Sequence, residues 1–351
     1  MAYTDIDRPD LYFNTKLYTG NGSTQSITGV GFQPDWVWIK ERSSTSNHQV
    51  GDAVRGATKI IETNTTNSEA TDSARFISFD SDGFTQGANN GVNESGQTYA
   101  SWNWLADNTS GSSNTDGSIT STVSANTTSG FSIVSYSGNG TNGATVGHGL
   151  GVAPKAVIVK ARTTGNTQNW FVNYPFGTGD GYIMLNSTNA GDGANSSVWN
   201  STTPNSSTVT LGTTSGVNDA SYDYIMYCFT EVKGFSKFGS YVGNGNADGS
   251  FIYLGFKPAF VITKRTDSTS DWVMLDNKRD SFNLMNKKLF PNNSDSEYSG
   301  QNACDFLSNG FKLRDNATNA FATNISGGTY IYMAFAESPL VGTNNIPAVA
   351  R

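Results

Sequence analysis

The chain has 351 residues, 36% of them hydrophobic and 15% charged, with a formal net charge of -7. This length allows about two or three cores of ordinary domain size, and the acidity, unbroken by any Lys/Arg cluster, excludes a phosphate-binding face and hence nucleic acid as a partner. No stretch approaches the roughly 20 apolar residues of a membrane-spanning helix, and the opening Met1 to Asp10 has neither a basic start nor an apolar signal core; the expectation is folding in a cytoplasm without membrane insertion.

Gly, Ser, Thr and Asn make up the balance, so the composition reads as an all-β protein with many turns. After an N-terminal arm over residues 1–15, one pattern is written three times, over 16–107, 131–233 and 234–337. Each copy opens on a tyrosine and a Gly-Asn-Gly turn: Tyr18 with Gly20 and Gly22, Tyr136 with Gly138 and Gly140, Tyr241 with Gly243 and Gly245. These glycines are expected to accept positive φ in a tight hairpin. A Pro-led strand follows, from Pro34 to Lys40, Pro154 to Lys160 and Pro258 to Lys264, apolar on both parities as a strand covered on both faces must be. Each copy closes on an aromatic strand ending in an acid, at Asp107, Glu231 and Glu337.

Residues 108–130, almost wholly Ser, Thr, Asn, Gly and Asp, read as a flexible or surface-hugging linker that leaves the first copy the most independent, whereas the second runs straight into the third. Residues 338–351 form a C-terminal tail which, like the N-terminal arm, is expected to be loosely ordered or docked on a partner. The predicted fold is three tandem antiparallel β-sandwich repeats, lectin-like or jelly-roll-like, with long polar loops.

The residues point away from catalysis. Only His48 and His148 are available to a triad, and His148 sits in a Gly-rich turn without acidic neighbours. Asp80-Ser81-Asp82-Gly83 reads as a turn rather than a calcium loop, no Cys/His spacing suggests zinc, and no strand–Gly-loop–helix suggests a nucleotide, so no catalytic residue, metal or cofactor is expected. Cys228 and Cys304 read as buried free thiols, with their pairing left open. Asp52 with Arg55, matched by Asp276 with Arg279, reads as a local ion pair bracing a loop; the second copy has Tyr174 and Gly177 there. Trp36, Trp38, Trp102 and Trp104 concentrate in the first copy, where His48 replaces the Trp170 and Trp272 of the others. These five are the candidates for contact with a ligand or partner, against the alternative that the first copy fills its core with larger side chains.

The run Phe229 to Gly245, followed by Gly255 to Arg265, resembles the repeated uncharacterised domain of virion proteins of tailed, especially marine, bacteriophages, and Lys16 to Gly22 with Gly31 to Lys40 resembles its opening unit. The resemblance implies a non-enzymatic structural protein of the virion, a tail fibre or fibre-like appendage with a surface for host glycans. A capsid decoration or head spike is the first alternative, and a polysaccharide-degrading enzyme the second. It further implies a virion location after folding in the host cytoplasm, with other tail or capsid proteins as partners and homo-oligomeric assembly.

Overall fold

A computed structural model of the chain describes residues 3–174, 181–193 and 195–347. The protein is nearly all β: among the described residues the helices are single turns at Pro9–Leu11, Asn90–Asn93 and Ser196–Trp199. Every strand ladder is antiparallel.

Three large sheets share a four-strand motif in which the opening strand lies beside the closing strand, then the Pro-led strand, then the strand after it. In the first unit these are Phe13–Thr19, Thr98–Trp104, Trp36–Glu41 and Gln49–Asp52; in the second Phe131–Ser137, Asp223–Phe229, Ala156–Ala161 and Phe171–Asn173; in the third Ser236–Val242, Thr329–Pro339, Phe256–Arg265 and Trp272–Asp276. The registers coincide: Tyr18 faces Tyr99, Tyr136 faces Tyr224 and Tyr241 faces Tyr330, each pair stacked at 4.9–5.0 Å. Three small sheets, built on Gln25–Thr28, Thr145–Gly147 and Phe251–Tyr253, each share a buried apolar cluster with residues of a large sheet.

The doubly apolar Pro-led strands are explained by what covers each face. Val37 and Ile39, Val157 and Val159, and Val261 point into their own unit's cluster. Trp36 and Trp38, Ala156 and Ile158, and Phe260 and Ile262 point the other way, into a fourth cluster shared by all three units. In the third unit the strand runs through Pro258 at a bulge, where a residue without an N–H leaves no ladder bond unmade.

Four expectations are corrected. The 108–130 segment is no flexible linker: Ser112–Asn114 and Ser121–Asn126 add two strands to the edge of the second unit's sheet, anchored by Ile119 and Val123 in its core. The first unit is not independent, because its indoles form much of the shared cluster. The N-terminal arm docks on the chain itself, with Ile6 and Phe13 in that cluster, Thr4 Oγ1 donating to the Lys233 carbonyl, and Asp7 receiving Thr343 of the C-terminal tail. The tail's opening residues extend the Thr329–Pro339 strand, while its last residues, 348–351, and the arm's first two lie outside the described residues.

The Gly-Asn-Gly elements also differ from expectation. Only the second glycine has positive φ, 71° at Gly22, 69° at Gly140 and 68° at Gly245. The first is needed for space: a Cβ on Gly20, Gly138 or Gly243 would land on the carbonyl oxygen of Glu94, Asp219 or Ile325.

Candidate functional site

The shared cluster is where the sequence-predicted contact residues lie. Trp104, Phe229 and Phe335 occupy the same position in the three closing strands, and their rings meet at 6.5, 5.8 and 5.6 Å around one point. Position 36 of the first unit corresponds to Ala156 and Phe260. Trp36 packs on Phe131, Tyr227 and Phe229 of the second unit, and Phe260 packs on Phe13, Trp102 and Trp104 of the first. Phe238 of the third unit comes within 6.2 Å of Phe229.

A polar belt repeats the same cyclic order. Trp170 Nε1 of the second unit donates to the Glu62 carbonyl of the first at 3.0 Å, and Trp272 Nε1 of the third to the Met184 carbonyl of the second at 2.9 Å. His48 takes the indole's place in the first unit. Its Nδ1 accepts from Trp38 Nε1 at 2.8 Å, and its Nε2 faces the Phe290 backbone of the third unit without full hydrogen-bond geometry. Backbone bonds close each junction: Glu69 to Arg162, Gly191 to Thr266 and Glu297 to Arg42.

The strand-end lysines belong to this belt. Lys160 Nζ donates to Thr66 of the first unit and Gln168, and Lys264 Nζ to Thr188 of the second and Arg265, all carbonyls. Lys40 Nζ donates to the Glu41 carbonyl. Burial pushes Lys160 down to about 7 and Lys40 and Lys264 down to about 8, with nearby acids (Glu41, Asp295 and Glu297 for Lys40; Asp271 and Asp267 for Lys264) opposing the shift.

The ion pairs extend into networks that cross the junctions. Arg55 Nε lies 2.5 Å from Asp52, both wholly buried, and Glu69 joins Arg55 to Arg162 of the second unit at 3.4 Å each. Arg279, Asp276 and Glu297 repeat this with Arg42 of the first unit. Each Asp also accepts from another unit, from Tyr227 Oη at 2.7 Å and Trp102 Nε1 at 3.1 Å. Tyr174, at the equivalent position of the second unit, donates to the Tyr332 carbonyl of the third at 2.6 Å; Gly177 lies outside the described residues.

None of the five contact candidates is offered to solvent: Trp36, Trp38, His48, Trp102 and Trp104 are between 0% and 3% exposed. The expectation that they form a ligand or external contact surface is corrected, and His48 is fully buried, its pKa held well below the ordinary value by burial and by Lys40. The space between the indoles and Phe335 is an apolar cavity of about 20 Å³, too small for a ligand larger than water and without polar groups to hold one. His148 is buried and neutral, its Nδ1 accepting from Leu150 N and its Nε2 at 3.1 Å from the Asn205 carbonyl. The carboxylates of Asp80 and Asp82 brace a turn, receiving Ser78, Thr85, Gly29 and Gly31. Cys228 and Cys304 are buried free thiols.

Three residues escaped the sequence reading. Asn93, Asn218 and Asn324, each at most 1% exposed, accept from the Asn of the Gly-Asn-Gly turn and donate to carbonyls of neighbouring loops. Their signal was present, since each lies six residues before the closing-strand tyrosine, but polar loop residues carry no period to draw attention to it.

Fold and contacts together define an all-β protein of several antiparallel sheets gathered on one shared aromatic cluster. The chain belongs to the family described as Domain of unknown function (DUF7483), whose model matches residues 8–339. None of the curated proteins matches it.

Proposed function

We propose that the chain is a non-enzymatic structural protein of a phage virion, a tail fibre or fibre-like appendage, built from three lectin-like β-sandwich units that present polar loops toward host-surface glycans. The observation that carries this reading is the cyclic belt. The buried ionisable groups Asp52, Arg55, Asp276, Arg279, Lys160 and Lys264 all hold one unit to another or brace a junction, which suits a rigid exposed body more than a reaction centre. The resemblance of the runs Phe229 to Gly245 and Gly255 to Arg265 to repeated virion domains supports the particle location, and other tail proteins are the partners it implies.

Mass spectrometry of purified virions from a phage encoding the chain tests the reading, together with electron microscopy of antibody-labelled particles. The polypeptide should be a stoichiometric component, with label on the tail. Its absence from particles would overturn the reading, and label on the head would move the protein to capsid decoration.

A further inference from the structure

One buried pair of charged residues breaks the threefold pattern. His48 N, Trp170 N and Trp272 N each donate to an asparagine side chain, that of Asn64, Asn186 and Asn292, and four residues before that asparagine stand Ile60, Tyr182 and Lys288. The buried Asn93, Asn218 and Asn324 each donate to a carbonyl upstream in their own loop, that of Gly87, Gly212 and Asp315. Both departures fall in the third unit, and they meet: Lys288 Nζ lies 3.3 Å from Asp315 Oδ2, with both side chains wholly buried.

As an ammonium, Lys288 is poorly served. The other buried lysines, Lys40, Lys160 and Lys264, reach backbone carbonyls at 2.6 to 3.1 Å. Lys288 has Asp315 Oδ2 and the Phe321 carbonyl, both at 3.3 Å, beyond the roughly 2.7–2.9 Å of a charge-assisted hydrogen bond. Its Nζ lies 5.3 Å from the centroid of the Phe321 ring, which packs on Phe290 and Tyr298. Two charges so placed recover little of the hydration they gave up. Burial pushes the Lys288 pKa down, against the pull of Asp315, toward the neutral amine that is a nucleophile. Both partners are held firmly. The Lys288 backbone bonds Tyr298 in both directions, while Gln301 Nε2 and Ala317 N donate to Asp315 Oδ1, and Thr323 N and Oγ1 to Oδ2.

We propose that Lys288 and Asp315 join covalently, as an amide between Nζ and Cγ that cross-links the third unit. A proton passes from Nζ to Oδ2, leaving a neutral amine beside a neutral carboxyl. Nζ then attacks Cγ, and the negative charge that develops on Oδ1 meets the N–H groups of Gln301 and Ala317. A second Nζ proton goes to Oδ2, which departs as water while the C–O double bond to Oδ1 re-forms. The ammonium and carboxylate thus become one amide and one water, with no redox change and no co-reactant. Two buried charges disappear, and the loop that carries the Asn324 pin is tied to the Lys288–Tyr298 bridge.

Intact-mass spectrometry of the purified, folded full chain under denaturing conditions, followed by mapping of its tryptic peptides, tests it. The chain should be one water lighter than its sequence requires, and the peptides that contain Lys288 and Asp315 should appear joined. Lys288→Met and Asp315→Ala should each restore the full mass, whereas Lys264→Met, which removes a buried lysine that donates only to carbonyls, should keep the loss. An unfolded variant would also regain the full mass, so the joined peptides of the unaltered chain decide. Full mass in the folded chain, separate Lys288 and Asp315 peptides, or a water loss that maps to another residue would overturn the proposal. Each of these outcomes leaves the particle reading untouched, since the cross-link is independent of where the chain is used.

Discussion

Gly20, Gly138 and Gly243 fill places where any side chain would strike a backbone carbonyl, whereas Gly22, Gly140 and Gly245 fill places where the backbone itself is left-handed. The first constraint is the harder one, since a carbonyl held by the fold does not move aside. Gly138→Ala should destabilise the protein by about 2–3 kcal/mol and Gly140→Ala by about 1 kcal/mol, as read from denaturant midpoints; the reverse order would refute the steric assignment. The turns themselves were visible in the sequence because glycine repeats are conspicuous. Their different reasons were not, because the clash involves Glu94, Asp219 and Ile325, which lie far along the chain, as does the asparagine pin beside each.

Among the elements, the Pro-led strands carry the lysines that set the protein's response to pH. Folding lowers the Lys160, Lys40 and Lys264 pKa values below the ordinary 10.5, so between about pH 7 and 10 the unfolded chain binds more protons at these groups and their contribution to stability rises with pH. The opposite sign sets in above about pH 9, where Cys228 and Cys304, raised by burial, and then the buried tyrosines ionise first in the unfolded chain. The melting temperature should therefore climb from pH 7 to 9 by a few degrees, about 2 °C or more, and fall beyond pH 10; Lys160→Met should flatten the climb, and a monotonic fall from pH 7 would contradict the burial of these ammoniums. The ion networks at the adjoining strand ends behave differently. Arg55→Met leaves Asp52 buried without its partner and should cost about 3–5 kcal/mol, while adding Asp52→Leu should recover part of that loss in a double-mutant cycle. Such strands were legible from apolar residues on both parities, but Glu69 and Glu297 were not, being acids in polar loops whose arginine partners belong to another unit. The edge strands Ser112–Asn114 and Ser121–Asn126 were hidden for a related reason: Ile119 and Val123 are too few apolar residues to mark a pattern.

At the scale of the whole molecule, the three units are joined by the large sheets' second faces, which an isolated unit would expose. The antiparallel all-β character was readable from strand and turn spacing, yet the packing of the large sheets on one another was not, because ring contacts such as Trp36 with Tyr227 or Phe260 with Trp104 join segments with no local signal of pairing. The tryptophans that looked like a specialised surface are instead the first unit's share of that closure. Joined through the shared cluster, the sheets should melt as one cooperative body. Scanning calorimetry of the full chain and of Trp104→Ala is the decisive measurement. A single transition with matching calorimetric and van't Hoff enthalpies is predicted, shifted down as a whole by the loss of about 3–5 kcal/mol in the variant. Separate transitions, or a variant in which only one part of the melt moves, would contradict it.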